Sequence, residues 1–322
     1  MKKVFLSMFV ALMATVAAQA QQIAVVSSDG TTTIHRTLAD AIGKATANSV
    51  IYLPGGGFPI SDEVKIDKKL TIIGIGHKVK GDNADGYTTI SGNLFFNEGS
   101  DGSAVMGCYM TGNVKIGYDG KTVNDVLVRY CNLNAVEVLN NTCTGTVINQ
   151  NYIRGGSNFH GAEATFTNNI AYSLTDLDNG VVSYNIFTSK WGSYYPVDGS
   201  DNTSVTYNVF LLNYYNWTPF GGSNILSYGN MTQSTDGGDG MIKIDVDWSE
   251  VFVNNAGVTP QSDYQFTEKY NKYMHQCGIY AGSTPFSDGQ LPPVPYIVAK
   301  QIPEQTDAEG KLNIKVRVRA GE

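Results

Sequence analysis

Between Val128 and Thr232 the apolar and polar positions are arranged around an Asn that keeps returning: VRYCNL (Asn132), INQNYI (Asn151), FTNNIA (Asn169), VSYNIF (Asn185), VTYNVF (Asn208) and SYGNMT (Asn230). In most units an apolar residue stands three positions before the Asn (Ile148, Phe166, Val182, Val205) and another directly after it (Leu133, Tyr152, Ile170, Ile186, Val209). The repeat length, about 20 residues, is that of one coil of a β-solenoid. A short strand then turns a corner at the Asn. That residue tolerates a left-handed backbone, and its amide can bond the same Asn one coil away. An antiparallel β-sandwich has turn signals at comparable intervals but no reason to hold one Asn in register over six units.

The N-terminal part carries a different period. After Thr37, a ready N-cap, Leu38, Ala41, Ile42 and Ala45 recur at helical spacing, predicting a helix near Leu38 to Ala47. Three strand-like runs follow, SVIYLPGGGFPI, VKIDKKLTIIGIG and TTISGNLFF, each closed by Gly, Pro or Asn. A helix placed there covers the open end of the first coil, which would otherwise expose unpaired backbone. The expectation is an all-β, single-domain right-handed parallel β-helix of roughly nine coils with an N-terminal capping helix.

Composition narrows the setting. The first twenty residues, MKKVFLSMFVALMATVAAQA, read as a secretory signal peptide cut after Ala20, its apolar run being too short to span a bilayer. A secreted or periplasmic location without a membrane span is expected. A net charge of −7, with no basic cluster before the last residues, argues against nucleic acid. The β-helix is assigned to residues 21–290. Residues 291–322 form a Pro-rich tether, a turn at Asp307 to Gly310 and one half-buried strand in which Leu312, Ile314, Val316 and Val318 alternate with Lys315, Arg317 and Arg319. Cys108 and Cys131 hold equivalent places in SAVMGCYM and LVRYCNL, so they are expected to stack in adjacent coils, within reach of a disulfide.

The order of helix, VIYLPGG, KLTIIGIG and Asn-containing coils resembles the right-handed parallel β-helix proteins of the pectate-lyase-like superfamily. The late segment CGIYAGSTPFSDGQLPPVPYI is similar to the closing stretch of secreted β-helix proteins of Bacteroidetes-type bacteria, many without an assigned function. The resemblance implies a scaffold and a polysaccharide or cell-surface glycan as partner. The Asp, His and Arg runs of the lyases and polygalacturonases are not found, and a scaffold does not specify an activity.

Two aromatic loops stand out. SKWGSYYPVDGSDN and LLNYYNWTPFGGSN leave after Asn185 and Asn208 at equivalent points, one coil apart. They bring Trp191, Tyr194, Tyr195, Tyr214, Tyr215, Trp217 and Phe220 to one flank, with Asn213 and Asn216 as polar partners. The rings either stack on the C–H faces of sugars or pack on one another. The favoured reading is a non-catalytic glycan-binding or surface-structural protein. The alternative is a polysaccharide lyase or glycoside hydrolase acting on an acidic polysaccharide, with Asp198 and Asp201 beside Lys190, and Asp176 and Asp178 on the preceding coil, as acid, base or cation ligands. Arg129, Arg154 and His160 are weaker candidates, since a lone loop His is usually solvated. No cofactor is indicated and no metal site is assigned. The loop with Asp236, Asp239, Asp245 and Asp247 has the composition of a Ca²⁺ loop but not its ligand spacing.

Overall fold

The protein is a parallel β-solenoid, seen in a computed structural model that describes residues 22–77, 86–189, 195–211, 218–259, 261–287, 295–301, 303, 309–311 and 313–319. It has about eight turns. Each coil contributes strands to three faces. The first face runs from Ser49–Tyr52 through Leu70–Ile73, Ala104–Met106, Leu127–Arg129, Thr146–Asn149, Ala164–Thr167, Val181–Ser183 and Ser204–Thr206 to Leu226–Tyr228, with every neighbouring pair parallel. The second runs from Gly56–Pro59 to Ile242–Lys243. The third includes Lys65–Ile66, Leu94–Phe96, Val114–Ile116 and Val136–Val138. Two long strands, Tyr152–Ala162 and Ile170–Leu177, pass from the second face to the third without interruption.

Alternation explains the core. Val128, Ile148, Phe166, Val182 and Val205 occupy one register position on the first face and point inward, each with 0% exposure. Phe187 and Phe210 stack inside on successive coils, ring centroids 5.2 Å apart and ring planes nearly parallel. Burying each such side chain contributes about 1.5–3 kcal/mol.

The Asn ladder is continuous from Asn151 to Asn230. The backbone N–H groups of Asn151, Asn169, Asn185 and Asn208 each donate to Oδ1 of the Asn one coil on, at 2.8–2.9 Å. The Nδ2 groups of Asn151, Asn169, Asn185 and Asn208 donate both to the next Oδ1 and back to the first-face carbonyl of the preceding coil. The expected register is corrected at its start. Asn132 pairs with Tyr152, so Cys131 occupies the ladder position, and its N–H donates to Asn151 Oδ1 at 2.9 Å. Cys131 and Asn132 are adjacent, so a pattern keyed to Asn falls one residue late in this coil.

The left-handed corner residue is also not the ladder Asn but the one before it: Tyr130, Gln150, Asn168, Tyr184 and Tyr207, with φ between 53° and 59°. The ladder amide binds three groups and thereby holds its neighbour in that conformation. The apolar residue after the Asn points outward. Tyr152, Ile170, Ile186, Val209 and Met231 form a stripe on the second face that is buried under residues 244–286, in a second apolar cluster with Trp248, Phe252, Ile279 and Phe286. A strap from Cys277 to Ser287 crosses the coils here. Asn168 Nδ2 donates to the carbonyls of Ile279 and Ala281, both at 2.9 Å, and Ser287 N–H donates to Gln150 Oε1 at 3.0 Å.

The capping helix is Leu38–Lys44, with Thr37 as N-cap accepting from Asp40 N–H. Leu38, Ala41 and Ile42 enter the main core. Two antiparallel strands, Ile23–Val26 and Thr32–His35, complete the cap beside the first parallel strand. At the other terminus, Lys315–Arg319 pairs antiparallel with Tyr296–Gln301. It is exposed along its whole length, not half-buried as its alternation predicts. Cys108 and Cys131 do lie on paired coils, flanked by the registers Met106 with Arg129 and Tyr109 with Asn132. Their thiols are free and buried.

Candidate functional site

The corner between the second and third faces changes character halfway along the solenoid. In the coils of Tyr152–Ala162 and Ile170–Leu177 the chain turns it as continuous strand. In the next two coils it departs, at residues 188–196 and again at 211–219, and returns. The departure points pair as Phe187 with Phe210, and the return points as Val197 with Phe220. Thr188 N–H still bonds Ala171 O, and Leu211 N–H bonds Phe187 O. On return, Leu174 N–H donates to Pro196 O and Val197 N–H to Pro219 O. Two segments of equal length therefore leave and return one coil apart, next to Tyr172, which is 38% exposed.

Of the expected shelf, Lys190, Trp191, Tyr194, Asn213, Tyr214, Tyr215, Asn216 and Trp217 lie outside the described residues. Tyr195 is half-buried, its ring over the backbone of Gly221, where a Cβ would come within 2.7 Å of it. Phe220 lies at the second loop's base, 6.4 Å from Phe210.

The carboxylates separate into two settings. Asp198 stands in the outward register position of Thr175, half-buried, with Oδ1 accepting from Gly199 N–H at 2.9 Å. Asp176, at φ 54°, directs Oδ1 at Gly199 on the adjacent coil, and that glycine has φ 59°; a Cβ there would meet the oxygen at 2.4 Å. Asp178 and Asp201 form part of a second ladder, at the corner leading to the first face. Asp201 N–H donates to Asp178 Oδ1 at 2.9 Å, and Ser223 N–H donates to Asp201 Oδ1 at 2.6 Å. Asp101 and Asn124 do the same four coils earlier. Each residue that follows in the later coils, Asn179, Asn202 and Asn224, is left-handed. This second ladder escaped the sequence reading because Asp, Asn and Thr share the position, so no single letter repeats.

Arg154 is committed to the fold. Its guanidinium donates to Met110 O at 2.7 Å and to Asn132 Oδ1, and lies over the Tyr109 ring. His160 is exposed and left-handed, with Nδ1 donating to Val138 O at 3.0 Å. Asp247 caps the Trp248–Val251 helix, and Asp245 pairs with Lys243 at 3.4 Å. Among the described residues no cluster of three metal-ligating side chains occurs, and no helix is long and apolar enough to cross a membrane. No family model, no curated protein and no solved structure matches this chain.

Proposed function

We propose that this protein is exported and binds a glycan chain, without acting on it, along the corner from which the 188–196 and 211–219 loops leave. One observation carries the reading: the in-register departure and return of two equal loops, whose sequences are dense in Trp, Tyr and Asn. Rings presented one coil apart, about 4.8 Å, can stack on successive parts of an extended saccharide. The leader-like first twenty residues and the likeness to secreted proteins of the pectate-lyase-like superfamily support export and a polysaccharide partner.

Catalysis is the second reading. Asp176 and Asp198, half-buried on adjacent coils at the foot of the first loop, favour it. Asp178 and Asp201 each use one oxygen to accept a backbone N–H of the ladder.

The test is retention on immobilised polysaccharides, with assay of released unsaturated or reducing sugars with and without Ca²⁺. Trp191→Ala and Trp217→Ala are expected to lose retention while keeping the wild-type Tm. Unchanged retention with a large fall in Tm would make the rings packing alone. Release of sugars by the wild type would replace binding by catalysis.

A further inference from the structure

On the first face, away from the loops, the Cys277–Ser287 strap crosses the coils and leaves a cleft of about 330 Å³. One of its walls is a column of outward side chains at a single register position on successive coils: Arg129, Asn149, Thr167 and Ser183. Thr165 belongs to the neighbouring column, and Ser283 and Thr284 of the strap close the other side. The strap is fixed there, since Asn149 Nδ2 donates to Thr284 Oγ1 at 3.2 Å and to Thr167 Oγ1 at 3.0 Å.

Arg129 is the only charged group lining this cleft. Among the described residues it has no ion pair, and its Nε is buried with no hydrogen-bond partner. Its contact is the ring of Tyr130, with the guanidinium carbon 4.5 Å from the centroid. A guanidinium with five donors, held in a partly enclosed site with no protein acceptor, leaves a desolvation cost that an oxyanion would offset by charge-assisted, fork-like hydrogen bonds. Its surroundings are donors as well. Among the described residues the hydroxyls of Thr165, Ser183 and Ser283 make no hydrogen bond, and Thr167 Oγ1 accepts from Asn149, which leaves its proton to give outward.

We infer that the cleft framed by Arg129 and the strap is an oxyanion-binding site that takes the carboxylate or sulfate group of a small hydroxylated ligand. Arg129 binds the anion, and the hydroxyls of Thr167, Ser183 and Ser283 meet the ligand's remaining oxygens. The cleft volume matches a ligand of monosaccharide size, at the lower end of ordinary small-molecule sites. The site lies on a different face from the aromatic loops and does not depend on their role.

Glucuronate, glucose 6-sulfate and glucose titrated calorimetrically into the full chain test this. At least one of the two anions is expected to bind roughly tenfold or more tightly than glucose, the margin of one charge-assisted contact. Which of them does so separates a carboxylate site from a sulfate site. Arg129→Gln should abolish the margin and Arg129→Lys should restore part of it. Should Arg129→Gln not fold, amide shifts in the wild type decide: the anion should move Thr165, Thr167, Ser183 and Ser283. Equal binding of the anions and glucose, wild-type binding by a folded Arg129→Gln, or shifts confined to other faces would overturn the assignment.

Discussion

Asn185 Oδ1 accepts two hydrogen bonds from Asn169 on the preceding coil, one from its backbone N–H at 2.8 Å and one from its side-chain Nδ2 at 3.1 Å. Both side chains are fully buried. A buried amide is tolerable only when its polar atoms are satisfied, and here the fold meets that condition by repetition. Asn169→Ala leaves the N–H of Asn151 without its acceptor and removes one hydrogen bond each from the Ile148 carbonyl and from Asn151 Nδ2, which keeps Val128 O and Asn149 O. At about 1–3 kcal/mol for a stranded buried donor, we expect a loss of about that size in denaturant unfolding. Asn202→Gly, at an exposed left-handed corner, should be nearly neutral.

The corrected register makes its own prediction. Cys131 fills the ladder position, with Sγ 3.8 Å from Val105 O, the carbonyl that corresponds to the one bonded by Asn151 Nδ2 one coil on. Cys131→Asn supplies an amide for that carbonyl and should stay within about 1 kcal/mol of wild type, whereas Cys131→Leu should lose about 1–3 kcal/mol by overpacking a polar corner. If Asn were much worse than Leu by thermal melting, the ladder would not extend through Cys131.

Burial pushes the thiols of Cys131 and Cys277 up to about 12 from an ordinary 9.0, and the Cys108 thiol upward as well, by burial first and by the neighbouring Cys131 second. A raised folded-state value means that the neutral thiol is favoured by the fold. Its contribution is complete below about pH 9 and is lost as pH rises toward about 12. We expect Tm to be flat up to about pH 9 and then to fall, at up to about 1.4 kcal/mol per pH unit for each thiol, less steeply in Cys277→Ala. At pH 8 a thiol reagent should leave Cys108, Cys131 and Cys277 unmodified until denaturant is added.

Asp178 and Asp201 serve their ladder through an oxygen acceptor rather than through charge. Asp178→Asn and Asp201→Asn should therefore melt within about 1 kcal/mol of wild type, while Asp201→Leu, which leaves Ser223 N–H without its partner, should lose about 1–3 kcal/mol. If a hydrolytic or lyase activity is found and Asp198→Asn abolishes it while these two amide variants retain it, the reacting carboxylate is the outward one.

A one-dimensional repeat is unusually legible in a one-dimensional string, because each residue's main neighbours are the equivalent residues one coil away. Local propensity and periodicity alone determined the parallel solenoid, the Thr37-capped helix, the inward column Ile148, Phe166, Val182 and Val205, and the adjacent-coil placement of Cys108 and Cys131. Register at Cys131, the left-handed residue preceding each ladder Asn, and the second ladder through Asp178 and Asp201 were decided by which backbone N–H and C=O groups face each other across coils. The outward stripe from Tyr152 to Met231 has the apolar character of an interior one, and only the return of residues 244–286 onto it makes it a core. Likewise Arg129 reads in the sequence as one cation among many. It becomes a candidate anion site because a strap more than a hundred residues later lies across it, a long-range contact that no local pattern encodes.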